Sequence, residues 1–127
     1  MAKILIVDDE LKQCILLKKI LTSAGHTVYI ADNGITGLKL MYSEKINLII
    51  SDIIMPEMDG VEFVCKLQED HKEIPIIVIS GNPFGKDYLE DVCELGANAH
   101  LEKPIKKNEL INLVDKLLKE SLYPLEN

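Results

Sequence analysis

The chain has 127 residues, 47% of them hydrophobic, and 14 Lys and Arg against 21 Asp and Glu give a net charge of −7. This length fits one domain with a continuous core, and the excess of acids disfavours non-specific binding to nucleic acid, which needs clustered cations. The first residues run straight into a short apolar strand, so we expect no signal peptide and no membrane span.

The three cysteines lie far apart in the sequence, at Cys14, Cys65 and Cys93. Their number is odd, and their spacing matches neither a metal site nor a disulfide framework. We interpret them as buried thiols in a reducing compartment. Together with the missing signal and membrane segments, this predicts a cytoplasmic protein.

Short runs of apolar residues alternate with helical patterns along the chain. The runs predict five strands, at Ile4–Val7, Thr27–Ala31, Asn47–Ile50, Ile74–Ile79 and Asn98–Leu101. Apolar residues at helical spacing predict five helices: Leu11 to Leu21 ending at Gly25, Ile35 to Tyr42 with Asp32 or Asn33 as N-cap, one opening at Asp59, one through Tyr88, Val92 and Leu95, and Leu110 to Leu118. Unbroken apolar strands are typical of parallel sheets covered on both faces. We therefore predict a doubly wound α/β domain.

In such sheets the site lies beyond the carboxyl ends of the strands. The first strand is followed by Asp8-Asp9-Glu10, and the third by Asp52. The fourth ends at Ser80-Gly81 and the fifth at Lys103-Pro104. Any one of these polar residues is more often an ordinary surface-loop residue. As a set they supply complementary groups, so we predict that they form one site.

Three carboxylates held together repel one another, by about 4 kcal/mol for two charges about 4 Å apart at an effective dielectric near 20. A hard divalent cation removes this conflict, and Mg²⁺ suits a site with few carboxylates that a phosphoryl oxygen can complete. Lys103 can neutralise a phosphoryl oxygen, and Ser80 can donate a hydrogen bond to another. Asp52 is then the candidate nucleophile, because carboxylates can accept phosphoryl groups.

The ordered set Asp8-Asp9, Asp52 with Met55-Pro56 and Asp59-Gly60, Ser80-Gly81 and Lys103-Pro104 resembles the receiver domain of two-component response regulators. The resemblance covers essentially the whole chain. It implies a flavodoxin-like, five-stranded parallel sheet of order 2-1-3-4-5 flanked by five helices. It also implies one domain over 1–127, with a core of about 3–120 and a short tail at 121–127.

By this resemblance, Asp9 and Asp52 would bind Mg²⁺ directly, Asp8 would hold it mainly through water, and the backbone carbonyl of Ile54 would be a further ligand. Asp52 would take a phosphoryl group from a phosphohistidine on a sensor histidine kinase or phosphotransfer protein. The protein would then be a signalling switch that catalyses only its own phosphorylation and dephosphorylation.

The same resemblance implies that Ser80 moves toward the phosphoryl group, that Lys103 pairs with it and that the Lys103–Pro104 peptide is cis. His100 stands where the family usually has a switching Tyr or Phe, so it could be a switch residue or a structural histidine on an edge strand. The stretch from Ser80 to Lys103 looks one residue longer than usual, and we place the extra residue within 82–85. The apolar Ile54 side chain cannot orient an attacking water, which predicts slow loss of the phosphoryl group.

Relatives signal through the fourth helix, fifth strand and fifth helix, so a downstream protein is expected there. Lys106 and Lys107 on that face are either a docking surface or a solvated face. We expect a monomer or weak dimer that does not bind nucleic acid through this chain. The starting Met1 and the short tail favour a stand-alone receiver over a domain cut from a larger regulator.

Two other functions compete with the switch. A receiver-like scaffold could bind partners without phosphorylation, although the complete acidic, hydroxyl and Lys set argues against it, because pseudo-receivers usually lose one of these groups. A phosphohydrolase or a flavin- or nucleotide-binding enzyme on the same kind of sheet would need an Asp-x-Asp motif or a phosphate loop that the sequence lacks. Among single residues, we interpret His26 and His71 as exposed and without a role, and Met41 as core. Glu10 either supports the site or suits the dipole of the first helical turn, and we favour the second interpretation.

Overall fold

The computed structural model describes residues 1–53, 58, 60–71, 73–81, 94 and 96–121. Five strands form one parallel sheet in the order β2-β1-β3-β4-β5. The strands are β1 Lys3–Val7, β2 Thr27–Ala31, β3 Leu48–Asp52, β4 Ile76–Ser80 and β5 Ala99–Glu102. Within the described residues the helices are α1 Leu11–Ser23, α2 Gly34–Ser43, α3 Gly60–Asp70 and α4 Lys107–Glu120. The predicted fold class and strand order are confirmed.

The predicted element boundaries shift by one to three residues. The fourth strand begins at Ile76, because Pro75 has no N–H to donate to the ladder. Asn33 is the N-cap of α2, and its side-chain oxygen accepts a hydrogen bond of 2.9 Å from the Thr36 N–H. The predicted helix through Tyr88, Val92 and Leu95 and the predicted helix start at Asp59 lie outside the described residues.

The core has two layers, one on each face of the sheet, because successive residues of a strand point to opposite faces. In β3, Ile49 packs with residues of α2 and α3, whereas Leu48 and Ile50 pack with residues of α1 and α4. All five residues of β3 are buried, as are all five of β4. Met41 belongs to the first layer, as predicted. This two-sided burial explains the unbroken apolar runs, and it leaves the carboxyl ends of the strands as the place for polar groups.

The prediction that all three cysteines are buried is wrong for Cys65. Its side chain is exposed on α3, whereas Cys14 is buried. Phe63, Val64 and Leu67 fill the inward stripe of that helix, so position 65 faces water. Cys93 lies outside the described residues.

The two histidines predicted to be exposed and without a role are both half-buried. His71 packs edge-on against Tyr42, with ring centroids 5.2 Å apart. The Ala2 N–H donates a 3.1 Å hydrogen bond to His26 Nδ1. His26 comes directly before β2, where the chain runs beside the first residues of β1, so its ring is within reach of that backbone.

The surroundings of His26 make the free energy of unfolding depend on pH. Burial, and then the positive charge of the terminal amine, lowers the pKa of His26 below its ordinary 6.5. The neutral ring therefore stabilises the fold above pH 6.5, and this stability is lost as the pH falls through the lowered pKa. We expect His26→Ala to cost roughly 0.5–1 kcal/mol at pH 7.5 and less at pH 5. Urea unfolding of both proteins at the two pH values measures this, and an equal cost at both would contradict it.

Candidate functional site

Polar side chains meet at the carboxyl edge of the sheet, where β1, β3 and β4 end side by side. Asp8 follows β1, Asp52 is the last residue of β3, and Ser80 is the last residue of β4. The strands are parallel, so their carboxyl ends share one edge. All three residues are buried, with at most 8% of their surface exposed. Buried polar groups at this edge need partners of opposite charge or hydrogen-bonding character.

The carboxylates of Asp8, Asp9 and Asp52 each offer one oxygen to a group of atoms that lie within 4.8 Å of one another. Backbone N–H groups orient the two buried carboxylates. Asp8 Oδ1 accepts a 2.9 Å hydrogen bond from the Glu10 N–H, and Asp52 Oδ1 accepts one of 2.7 Å from the Ile53 N–H. Asp8 Oδ2 is buried and accepts no hydrogen bond from the described residues.

The pKa of Asp8 reflects its burial and the nearby carboxylate of Asp52. Burial raises the pKa of Asp8 from its ordinary 3.8 to about 6, and the negative charge of Asp52 adds to this effect. Burial acts to lower the pKa of Lys103, but attraction to Asp52 and Asp8 outweighs it, and the pKa is raised. In the folded protein Lys103 therefore loses its proton less readily than an ordinary lysine, and Asp8 loses its proton less readily than an ordinary aspartate.

The donor set fits a hard divalent cation. It consists of carboxylate oxygens alone, and one of them, Asp8 Oδ2, is buried without a hydrogen bond from the described residues. Asp8, Asp9 and Asp52 are the residues that would hold Mg²⁺, a cation that prefers oxygen ligands and keeps several waters. The predicted carbonyl ligand, Ile54, lies outside the described residues.

Lys103 lies opposite these carboxylates, and its peptide bond to Pro104 is cis, as the resemblance implies. Its Nζ is 3.2 Å from Asp52 Oδ2 and 3.5 Å from Asp8 Oδ2. The Lys103 N–H donates a 2.9 Å hydrogen bond to the Ser80 carbonyl, which ties the end of β5 to the end of β4. A Cβ at Gly81 would lie 3.3 Å from Lys103 Cδ, so the glycine leaves room for the lysine side chain.

Two further residues take part in this arrangement. Glu10 Oε2 lies 3.4 Å from Lys103 Nζ, and the Glu10 side chain makes no capping bond at the start of α1. The structure therefore gives Glu10 a partner in the site, which supports the alternative interpretation that we did not prefer. The Cys14 thiol donates to the Asp8 carbonyl at 3.3 Å, and burial raises its pKa to about 11, so it stays protonated. The sequence signal for Cys14 is its place in the apolar stripe, one turn after the acids.

His100 is exposed on β5, in register with Val78 of β4. It is three residues before Lys103, at the edge of the sheet. Its role as a switch residue therefore stays a prediction. Lys106 and Lys107, at the start of α4, are also exposed.

Comparison with known proteins identifies the family. The family model described as "Response regulator receiver domain" matches residues 4–115. Sporulation initiation phosphotransferase F of Bacillus subtilis is 32% identical over 117 residues, which cover 91% of this chain and 93% of that protein. The receiver domain of NtrX from Brucella abortus has a TM-score of 0.89 at 28% identity, covering 93% of this chain and 99% of that one.

A probable transcriptional regulator, ycf29 of Pyropia yezoensis, is 32% identical over 118 residues, which are 91% of this chain and 53% of that protein. The chain spans about half or less of the length of several other regulators that it matches. In the described part of the chain, no helix is both long and apolar enough to cross a bilayer. The fold, the carboxylate edge and these matches agree, and the chain belongs to the response regulator receiver domain family.

Proposed function

We propose that this chain is a phosphoacceptor switch of a two-component or phosphorelay system, with Asp52 as the acceptor. One observation carries the proposal: a buried aspartate at the end of a central strand lies 3.2 Å from an ammonium and beside two further carboxylates. A carboxylate is a competent nucleophile toward phosphorus, and phosphoryl transfer depends mainly on positioning and charge neutralisation.

In the proposed reaction an oxygen of Asp52 attacks the phosphorus of a phosphohistidine. The new P–O bond forms as the P–N bond breaks, and the electron pair of that bond stays on the imidazole nitrogen. The Ile53 N–H holds Asp52 Oδ1, which leaves Oδ2 on the side of Lys103. Lys103 and the Ser80 hydroxyl would contact the phosphoryl oxygens. Bound Mg²⁺ would supply positive charge for the oxygens of the transferred group.

In this proposal the phosphoryl group stays on Asp52 and alters the surface of the protein. The chain would therefore catalyse only its own phosphorylation and dephosphorylation. The donor would be a sensor histidine kinase or a phosphotransfer protein in the cytoplasm. The signal would leave through a protein partner bound near β5 and α4, where His100, Lys106 and Lys107 are exposed.

Incubation with acetyl phosphate and Mg²⁺, followed by intact mass spectrometry, tests the proposal. We expect the wild type to gain one HPO₃ unit, and the gain to disappear in Asp52→Asn and in excess chelator. Asp32→Asn is the matched control, because it removes an exposed carboxylate. Among the described contacts, this carboxylate accepts a hydrogen bond only from its neighbour Asn33. An adduct that persists in Asp52→Asn would contradict the assignment, and a wild type that takes no phosphoryl group would favour the scaffold alternative.

The donor protein needs a docking surface beside Asp52, and α1 offers one. This helix begins directly after the acidic residues, and Leu11, Ile15 and Leu16 are 67%, 54% and 48% exposed. Its sequence contains three lysines and no acid, in a chain of net charge −7. We propose that the phosphohistidine protein packs an apolar, acid-bearing helix against this face.

Ile15→Glu should reduce phosphotransfer from the donor protein at least about tenfold, because it puts a charge in the middle of the apolar contact. Phosphorylation by acetyl phosphate should not change, since this small donor needs no docking surface. Ile35→Glu, on α2 and 42% exposed, is the matched control. Equal losses with both donors would show that the substitution damages the site itself.

A further inference from the structure

Lys103 is shared by three carboxylates in this structure. Its Nζ lies 3.2 Å from Asp52 Oδ2, 3.4 Å from Glu10 Oε2 and 3.5 Å from Asp8 Oδ2. Asp8 and Asp52 are also the residues that would hold a divalent cation, whereas Glu10 is outside that set. A bound metal would therefore occupy Asp8 and Asp52 but would leave Glu10 available to Lys103.

A dication held by Asp8 and Asp52 would compete with Lys103 for the same two carboxylates, and it would repel the ammonium. Lys103 then needs another anion within its reach. Glu10 Oε2 is already in contact, and the Glu10 side chain is 57% exposed, so it can follow the ammonium at little cost. Its backbone is fixed, because its N–H bonds to Asp8 Oδ1 and its carbonyl accepts from the Cys14 N–H.

Glu10 makes no capping hydrogen bond of the kind that often accounts for an acidic residue at a helix N-terminus, although it occupies the N-cap position of α1. It reaches instead to a lysine 93 residues away in the sequence. The side chain is directed at the site rather than at its own helix.

We propose that Glu10 is a positioning residue for Lys103: it holds the ammonium at the rim of the carboxylate cluster while a divalent cation occupies the site, and releases it when a phosphoryl group arrives. This inference rests on the proposed function. A phosphoryl group carries more negative charge than Glu10 and lies deeper in the site, so it takes the ammonium over. Glu10 keeps Lys103 near the acceptor through the part of the cycle in which Asp52 and Asp8 cannot.

A double-mutant cycle on Mg²⁺ affinity tests this role, with NMR shifts of backbone amides during a titration with MgCl₂ as the readout. Glu10→Gln should weaken Mg²⁺ binding about two- to fivefold, because the ammonium then stays unpaired beside the dication. In a Lys103→Gln background the same substitution should change the affinity less than about 1.5-fold, since no ammonium needs holding. Glu109→Gln, which removes an exposed acid from the first turn of α4, should leave the affinity unchanged.

A second probe reports on the release step. At saturating Mg²⁺, beryllium fluoride, which imitates a phosphoryl group on an aspartate, should bind Glu10→Gln about two- to fivefold more tightly than wild type, because Glu10 no longer competes for the ammonium. Equal weakening of Mg²⁺ binding with and without Lys103 would overturn the proposal, since Glu10 would then act only as a diffuse charge. No effect of Glu10→Gln in either background would overturn it as well. In both cases an intact wild-type phosphoryl adduct on Asp52 would leave the proposed function standing, whereas its absence would remove both.

Discussion

Asp8→Asn should raise the free energy of unfolding of the metal-free protein by about 1–3 kcal/mol at pH 8. The upper limit follows from the rise of the Asp8 pKa from 3.8 to about 6, at 1.36 kcal/mol for each pH unit. The folded state binds a proton at Asp8 more tightly than the unfolded state does. This stability is fully present below pH 3.8 and is lost as the pH rises through about 6. A neutral amide never has to carry the buried charge.

The difference between Asp8→Asn and wild type should therefore be near zero at pH 3.5, grow between pH 4 and 6, and stay constant above pH 7. Urea unfolding in the presence of a chelator measures it. Asp32→Asn, which removes an exposed charge, should change stability by no more than about 0.5 kcal/mol at any of these pH values. An Asp8→Asn protein that is less stable than wild type at pH 8 would show that the carboxylate is satisfied in the folded state.

The same substitution should abolish or strongly weaken Mg²⁺ binding. In wild type, bound Mg²⁺ should remove the repulsion among the carboxylates and so raise the unfolding free energy by an amount set by its concentration and affinity. The variant should be insensitive to added MgCl₂. These two outcomes together would place stability and function in conflict at Asp8, a pattern expected where a site is built to bind a ligand.

The fold could be predicted from the sequence because each strand with both faces buried is a run of Ile, Val and Leu. Such runs, set between helical patterns, leave few other architectures. The placement of Asp8, Asp52 and Ser80 at one edge follows from parallel strands alone. The prediction failed at single residues. At Cys65 the general tendency of cysteine to be buried was misleading, because the stripe of Phe63, Val64 and Leu67 leaves position 65 on the water side of α3.

Glu10 and His26 show why side-chain partners were harder to predict. Both bond to groups far away in the sequence, Glu10 to Lys103 and His26 to the Ala2 N–H. A helix-start acid and a turn histidine have ordinary local explanations, and only the assembled sheet brings their partners within reach. The acidic pair and Lys103 were easier, because the carboxyl ends of parallel strands share one edge of the sheet, where groups of opposite charge attract one another.

Lys103→Gln should lower the free energy of unfolding of the metal-free protein by about 2 kcal/mol at pH 8. The pKa of Lys103 is raised in the fold, so its stabilising effect is fully present below its ordinary 10.5 and is lost only as the pH rises through the higher value. Removing the ammonium leaves Asp8 and Asp52 buried without their cation. Breaking a fully buried pair costs about 3–5 kcal/mol, and the 17% exposure of the Lys103 side chain reduces this.

The loss in Lys103→Gln should shrink as the pH falls toward 4, because Asp8 then takes up a proton. It should also shrink with millimolar MgCl₂, because the dication replaces the missing ammonium. Urea unfolding at pH 8 and pH 4, with MgCl₂ or chelator, measures both effects. A loss independent of pH and of Mg²⁺ would mean that Lys103 stabilises the fold through packing of its alkyl chain rather than through charge.

Combining the two substitutions separates these explanations. If Lys103 stabilises the fold by compensating Asp8, then Asp8→Asn should stabilise the Lys103→Gln protein more than it stabilises wild type, by about 1 kcal/mol or more. Additive effects would assign the lysine to Asp52 alone. The coupling has a functional meaning, because the ammonium that makes the empty cluster tolerable is the group proposed to turn to the phosphoryl oxygens. Lys103 would then determine both the stability of the unphosphorylated, metal-free site and the extent to which the site favours phosphorylation.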